Sequence, residues 1–157
     1  MTIDIVVVGK TDSEAVSELV SGYLKRVNFH LKASMVILPD VRSTRKLSRP
    51  QQKKLEGEAI LRNVAQGDHL VLLDEKGGMY RSVEFADWLQ KRMNSGVKRL
   101  VFVIGGPYGF SEEVYARADS RISLSPMTFS HQIVRAIFTE QLYRALSILA
   151  GEPYHHE

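Results

Sequence analysis

Ile104-Gly105-Gly106-Pro107-Tyr108-Gly109 follows directly on the β-rich run Leu100 to Ile104, and Ser111 stands behind it as the cap of a short helix. Two glycines, a proline and a third glycine at the end of a central strand force a sharp turn and let the backbone approach a flat ligand closely. In an open α/β sheet, the carboxyl ends of strands are where ligands bind. The spacing excludes two familiar nucleotide sites. A dinucleotide fingerprint needs G-x-G-x-x-G, whereas these glycines stand at 105, 106 and 109. Gly9-Lys10-Thr11 resembles the end of a phosphate-binding loop, but the earlier glycine that such a loop requires is Asp4 here.

Outward from that stretch, strand and helix patterns alternate. Ile3 to Val8, Met35 to Leu38, Leu70 to Leu73, Leu100 to Ile104 and Ile122 to Leu124 predict strands. Val16, Leu19, Val20, Tyr23, Leu24 and Val27 recur at helical spacing behind Asp12 or Ser13 as cap. A helix beginning near Pro50 is expected to turn Leu55, Ala59, Ile60 and Val64 inward. Glu75-Lys76-Gly77-Gly78 predicts a turn, and Ser82 the cap of a helix carrying Phe85, Trp88, Leu89 and Met93. Ile133, Val134, Ile137, Phe138, Leu142, Ala145, Leu146 and Leu149 mark an amphipathic last helix, stopped by Gly151 and Pro153. The alternation predicts one α/β domain over 1–157, a mostly parallel sheet with helices on both faces.

Composition narrows the class. The 157 residues suffice for one core, and 44% hydrophobic and 25% charged residues are ordinary for a soluble protein. There is no cysteine, which excludes disulfides, thiolate metal sites and a cysteine nucleophile. No apolar run reaches membrane-spanning length, and the first residues enter a strand without a leader pattern, so a cytoplasmic, metal-independent protein is expected. The net charge of +3 permits an anionic partner without requiring one.

Three further segments carry candidate chemistry. In Leu124-Ser125-Pro126-Met127-Thr128-Phe129 the proline interrupts both strand and helix, leaving backbone groups to bond a ligand or water. Apolar faces with a few in-plane backbone partners suit an adenine ring, although the segment also connects a strand to a helix capped by Ser130. His131 and Arg135, four apart, share a face of that helix, where a structural role for His131 is the simpler reading. Arg144 either pairs with Glu140 on the helix surface or points into a site to meet phosphate or a base edge. Tyr154 and His155 place a stacking ring and a neutral-pH acid–base group directly after the helix. The run Arg42, Arg45, Lys46, Arg49, Lys53, Lys54 contains no acid and reads as a solvated face or an RNA-backbone contact.

At these residues the chain resembles the ribosomal RNA large subunit methyltransferase H family, small SPOUT-class enzymes that methylate N3 of a pseudouridine. The resemblance rests on Val6-Val7-Val8-Gly9-Lys10, Leu72-Leu73-Asp74, Phe102 to Pro107, Ser123 to His131, Gln141-Leu142-Tyr143-Arg144-Ala145 and Pro153-Tyr154-His155, in order and over the full length. It implies an α/β fold with a C-terminal trefoil knot. It implies S-adenosylmethionine as methyl donor, held by Leu73, Gly105 and Leu124, Ser125, Pro126, Met127, Thr128 and Phe129, with no metal. It implies a homodimer with the last helix in its interface, acting on ribosomal RNA in the assembled ribosome. Arg144 would orient the base or stabilise its anion, and Tyr154 and His155 would cradle it, with His155 as a proton acceptor. A tail reaching the partner's crevice would complete the site. Two alternatives stay open: a catalytically silent ribosome-assembly or RNA-binding factor, and a ribose 2′-O-methyltransferase of transfer RNA.

Overall fold

The computed structural model describes residues 1–41 and 46–156. Arg42 and Arg45 of the basic run, and Glu157 of the tail, lie outside the described residues. Strands and helices alternate as β1 (Thr2–Val8), α1 (Glu14–Val27), β2 (Ala33–Leu38), α2 (Arg49–Arg62), β3 (His69–Met79), α3 (Ser82–Asn94), β4 (Arg99–Ile104), α4 (Glu112–Arg117), β5 (Ser120–Ser123) and α5 (Ile133–Leu149). The five strands form one sheet in the order β2-β1-β4-β3-β5, and every neighbouring pair is parallel. The mostly parallel α/β sheet expected from the sequence is the sheet observed.

Side chains alternate between the two faces of a strand, and here both faces are covered. Ile3, Ile5, Val7, Val71, Leu100, Phe102 and Ile104 pack with Val27, Phe85, Trp88, Phe138 and Leu142 from α1, α3 and α5. Val6, Leu70, Leu72, Val101 and Val103 pack on the other face with Ile60 and Val114 from α2 and α4. Burial on both faces explains why these strands read as continuous apolar runs. Phe102 and Phe138 meet at 4.7 Å between ring centroids, which seats α5 on the centre of the sheet. Ser13, Ser48 and Ser111 cap α1, α2 and α4, each accepting from a backbone amide three residues on.

Two local expectations are corrected. Glu75 to Gly78 is not a turn: β3 runs on to Met79, with an irregularity between Leu73 and Gly78 after which Gly78 and Met79 pair with Ile122 and Ser123. The residue type follows from close approach, since a Cβ on Gly77 would lie 2.6 Å from the Arg121 and Ile122 backbone. Arg81, not Ser82, is the N-cap of α3, and Ser82 instead donates its hydroxyl to Gln141 Oε1. Around α2, Ile60 is buried and Ala59 and Val64 pack partly buried against the same core as expected; the helix also buries Gln52, Glu56 and Gly57. This helix rests on the loop after β4 with a polar stripe, where Gln52 Nε2 donates to Glu56 Oε1 at 3.0 Å.

Candidate active site

Register across the sheet sets the geometry. Leu73 stands opposite Ile104 on one side and Ile122 on the other, so β4, β3 and β5 end in one row. Gly105 leaves that row by one residue and Leu124 by two, which places both irregular loops over the same edge. They line one open cavity of about 1240 Å³, together with Leu73, Ile104, Tyr115 and the first turns of α2. Of the eight residues expected to hold a cofactor, seven line it: Leu73, Gly105, Leu124, Ser125, Met127, Thr128 and Phe129. Pro126 belongs to the loop and is exposed.

The loop's hydroxyls are engaged, Thr128 Oγ1 donating to Glu75 Oε2 at 3.4 Å, while part of its backbone is not. Ser123 Oγ donates to Ser125 O, and Met127 N donates to Ser125 Oγ, so those bonds stay within the turn. Among the described residues, no backbone hydrogen bond involves Leu124, Thr128 or Phe129. Such groups call for water or a ligand. An adenosyl sulfonium cofactor fits this setting: an apolar wall from Leu73, Ile104, Ile122 and Leu124, and backbone groups of Leu124, Thr128 and Phe129 without protein partners among the described residues. Tyr115 in the same wall has its phenol pushed up to about 12, by burial first and then by the Asp74 carboxylate, so it is a neutral donor across the physiological range.

The glycine loop is held by α2. A Cβ on Gly106 would come within 2.8 Å of Glu56 Oε2, and Glu56 is only 3% exposed. Gly106→Ala therefore pushes a buried carboxylate out of its seat. The expected cost is about 1–3 kcal/mol in a denaturant melt, with a weaker cofactor affinity; an unchanged melt would show that the loop is free to move.

Arg144, Tyr154 and His155 come together, but elsewhere: none of them lines the cavity of its own chain. Glu140 Oε1 accepts from Arg144 Nη2 at 2.6 Å and from the Tyr154 hydroxyl at 2.9 Å. The Arg144 guanidinium lies 4.8 Å from the Tyr154 ring centroid, and Tyr143 packs edge-on against Tyr154 at 4.8 Å. Burial, with Tyr23 and Glu140 beside it, pushes the Tyr154 phenol up. Arg144 Nη1 meets His155 Nδ1 at 3.1 Å. A guanidinium only donates, so Nδ1 accepts and the ring proton sits on Nε2. In this arrangement His155 is engaged as an acceptor of Arg144 rather than poised at Nδ1 to take a proton.

Sequence reasoning missed two residues that shape the site. Glu56 seats the glycine loop, and Arg135 fastens the start of α5. Arg135 is 1% exposed and donates to Val8 O, Gly9 O, Thr11 Oγ1 and His131 O. Gln132 adds a second tie, accepting from Asp12 N and reaching Lys10 O. The residue 131–135 segment is thus locked to the exit of β1. The four-residue spacing of His131 and Arg135 was the available signal, and it concealed that Arg135 points inward. Among the described residues there is no group of His, Asp and Glu able to hold a metal ion, and no helix long and apolar enough to cross a membrane.

A doubly covered parallel sheet with a crevice built from the loops after β4 and β5, the two strands that flank β3, is the frame of an α/β protein that binds a small ligand at its carboxyl edge. A family described as "Predicted SPOUT methyltransferase" matches residues 1–155. The chain is 57% identical to ribosomal RNA large subunit methyltransferase H of Christiangramia forsetii over 99% of each chain. It is 53% identical to the protein of that name from Flavobacterium johnsoniae and 52% identical to that from Parabacteroides distasonis, over the full length of each. The chain belongs to the SPOUT methyltransferases and, within them, to the ribosomal RNA large subunit methyltransferase H family.

Proposed function

We propose that this chain transfers a methyl group from S-adenosylmethionine to ribosomal RNA, at N3 of a pseudouridine, as a cytoplasmic homodimer acting on the assembled ribosome. One observation carries the reading: the Gly105 loop and the Leu124–Phe129 loop line one cavity, with the backbone of Leu124, Thr128 and Phe129 unengaged among the described residues. The names of the curated relatives, which specify large-subunit ribosomal RNA, support the substrate. The trefoil knot belongs to the same reading and is supported by membership of the SPOUT family.

When bound, the cofactor supplies an electrophilic methyl carbon, so the chain's task is alignment and charge stabilisation. Leu73, Gly105 and residues 124–129 hold it at the strand ends. An imide N3 must lose its proton before it can attack, and a cation beside it lowers the cost of that anion. Arg144, oriented by Glu140 and backed by the Tyr154 ring, is the cation assigned to this role. Because the Arg144 cluster stands away from its own chain's cavity, the tail is assigned to the crevice of the partner subunit. Met127, Phe129 and Ile133 are large apolar side chains exposed around that crevice, and they support an interface there.

Calorimetry with S-adenosylmethionine tests the donor site: a micromolar affinity, about −8 kcal/mol, is expected. Mass analysis of nucleosides from treated ribosomes tests the rest. A base-methylated pseudouridine is expected; methyl on a ribose, or a chain that binds ribosomes without binding the donor, would overturn the assignment.

A further inference from the structure

The cavity wall opposite the 124–129 loop is cationic. α2 opens with Arg49, carries Lys53 one turn later and Lys54 beside it, and all three line the cavity. Positions four apart on a helix present neighbouring side chains, so Arg49 and Lys53 form one ridge. There is no acid in the first turn of α2. Among the described residues, none of the three makes an ion pair. Arg49 lies 4.9 Å from the ring centroid of Tyr108, which stands in the glycine loop, so its charge is parked at the mouth of the crevice. The helix end itself is closed by the reciprocal Ser48–Gln51 capping box, so attraction here comes from side-chain charge and not from free helix amides.

Of the other charged residues lining the cavity, Lys76 is a cation beside Glu75 and the rest are carboxylates. Asp74 and Glu75 follow the Leu73 strand end, and Glu112 and Glu113 begin α4. A polyanion entering the crevice is drawn toward α2 and repelled from these carboxylates. We infer that Arg49, Lys53 and Lys54 form a phosphate-binding wall that grips the RNA strand flanking the nucleotide delivered to the crevice. The inference rests on the proposed RNA substrate, and it assigns the contact to α2. The partner is single-stranded RNA, recognised through its backbone and without sequence readout. Phosphate contacts position the strand and do not specify it.

The test is binding of a fluorescent twelve-nucleotide oligouridylate, measured between 50 and 400 mM KCl. Each single-stranded phosphate contact contributes about 0.7 to the slope of log affinity against log salt. The variant R49A/K53A/K54A is expected to lose about two units of that slope and, at 0.1 M salt, about a hundredfold in affinity. R49K/K53R/K54R is expected to retain both. K91A/K98A, which removes two cations that do not line the cavity, is expected to keep the slope. S-adenosylmethionine calorimetry on the triple alanine variant is expected to match the unmodified chain. An unchanged slope in that variant overturns the inference, as does an equal loss in K91A/K98A. A fall in donor affinity with RNA binding intact also overturns it, because the wall would then serve the carboxylate of the donor. If the unmodified chain binds no donor while the slope loss is still observed, the methyl-transfer reading fails and the phosphate wall stands.

Discussion

Arg135→Met lowers the melting temperature by roughly 10 °C. Arg135 is fully buried, yet among the described residues no carboxylate pairs with it. Burial pulls its pKa down, opposed by the charge of Asp12, and an arginine stays protonated regardless. Its charge is met by main-chain carbonyls: Nη1 donates to Gly9 O at 2.8 Å, Nη2 to Val8 O at 2.8 Å and Nε to His131 O at 3.2 Å. Methionine fills much of the volume but leaves three acceptors that have lost a charged donor. Each such loss costs about 1–3 kcal/mol before relaxation, so about 3–5 kcal/mol in total is expected. A lysine replacement keeps the charge but cannot span the fork, and is expected to recover about half. The clamp joins the end of β1 to His131, two residues beyond the 124–129 loop, so S-adenosylmethionine affinity should fall about tenfold even at temperatures where the variant is fully folded. A methionine variant that melts with the unmodified chain would show that the carbonyls find other donors and that Arg135 clamps nothing.

This residue also marks where the sequence stops being legible. The strands could be read because burial on both faces requires unbroken runs such as Val6 to Val8 and Val101 to Ile104. The two crevice loops could be read because glycine and proline at strand ends leave backbone without regular partners. Arg135 and Glu56 could not be read, since a charged residue inside a helical pattern is assigned to solvent by default. Only the strand exit facing Arg135 and the glycine loop facing Glu56 turn them inward. Gly77-Gly78 failed for a related reason. The pair has the composition of a turn, but here glycine is required by the β5 backbone that crosses 2.6 Å from where a Cβ would sit. The distance between tail and crevice was equally hidden. Residues 144, 154 and 155 are sequence neighbours of α5, and nothing in their spacing says which side of it they occupy.

That separation leads to the prediction with the largest effect on turnover. Arg144→Ala is expected to lower kcat by about 100- to 1000-fold, the usual cost of removing one preorganised group that stabilises a developing charge. The affinity for S-adenosylmethionine should stay within about twofold, because the role proposed for Arg144 is a contact with the base anion and not with the donor. Gly105→Val is expected to do the reverse. A Cβ at 105 would already press the Phe110 ring at 3.0 Å, and the larger side chain closes the crevice to the donor while leaving the tail intact. Each variant alone is then inactive for a different reason. If the tail of one chain serves the crevice of its partner, a mixed dimer of the two variants contains one whole site: the loops of the Arg144→Ala chain under the tail of the Gly105→Val chain. Random exchange makes half of the dimers mixed, so about a quarter of the full rate should return on mixing. If each chain instead uses its own tail, every site in the mixture carries one defect and no activity returns. The melting curve of each variant must first show a folded protein, and the mixture must be allowed to exchange subunits, which mass spectrometry of the intact dimers reports. With exchange demonstrated, zero recovery would place Arg144, Tyr154 and His155 over the crevice of their own chain, and the tail would then have to swing away from Glu140 to reach it.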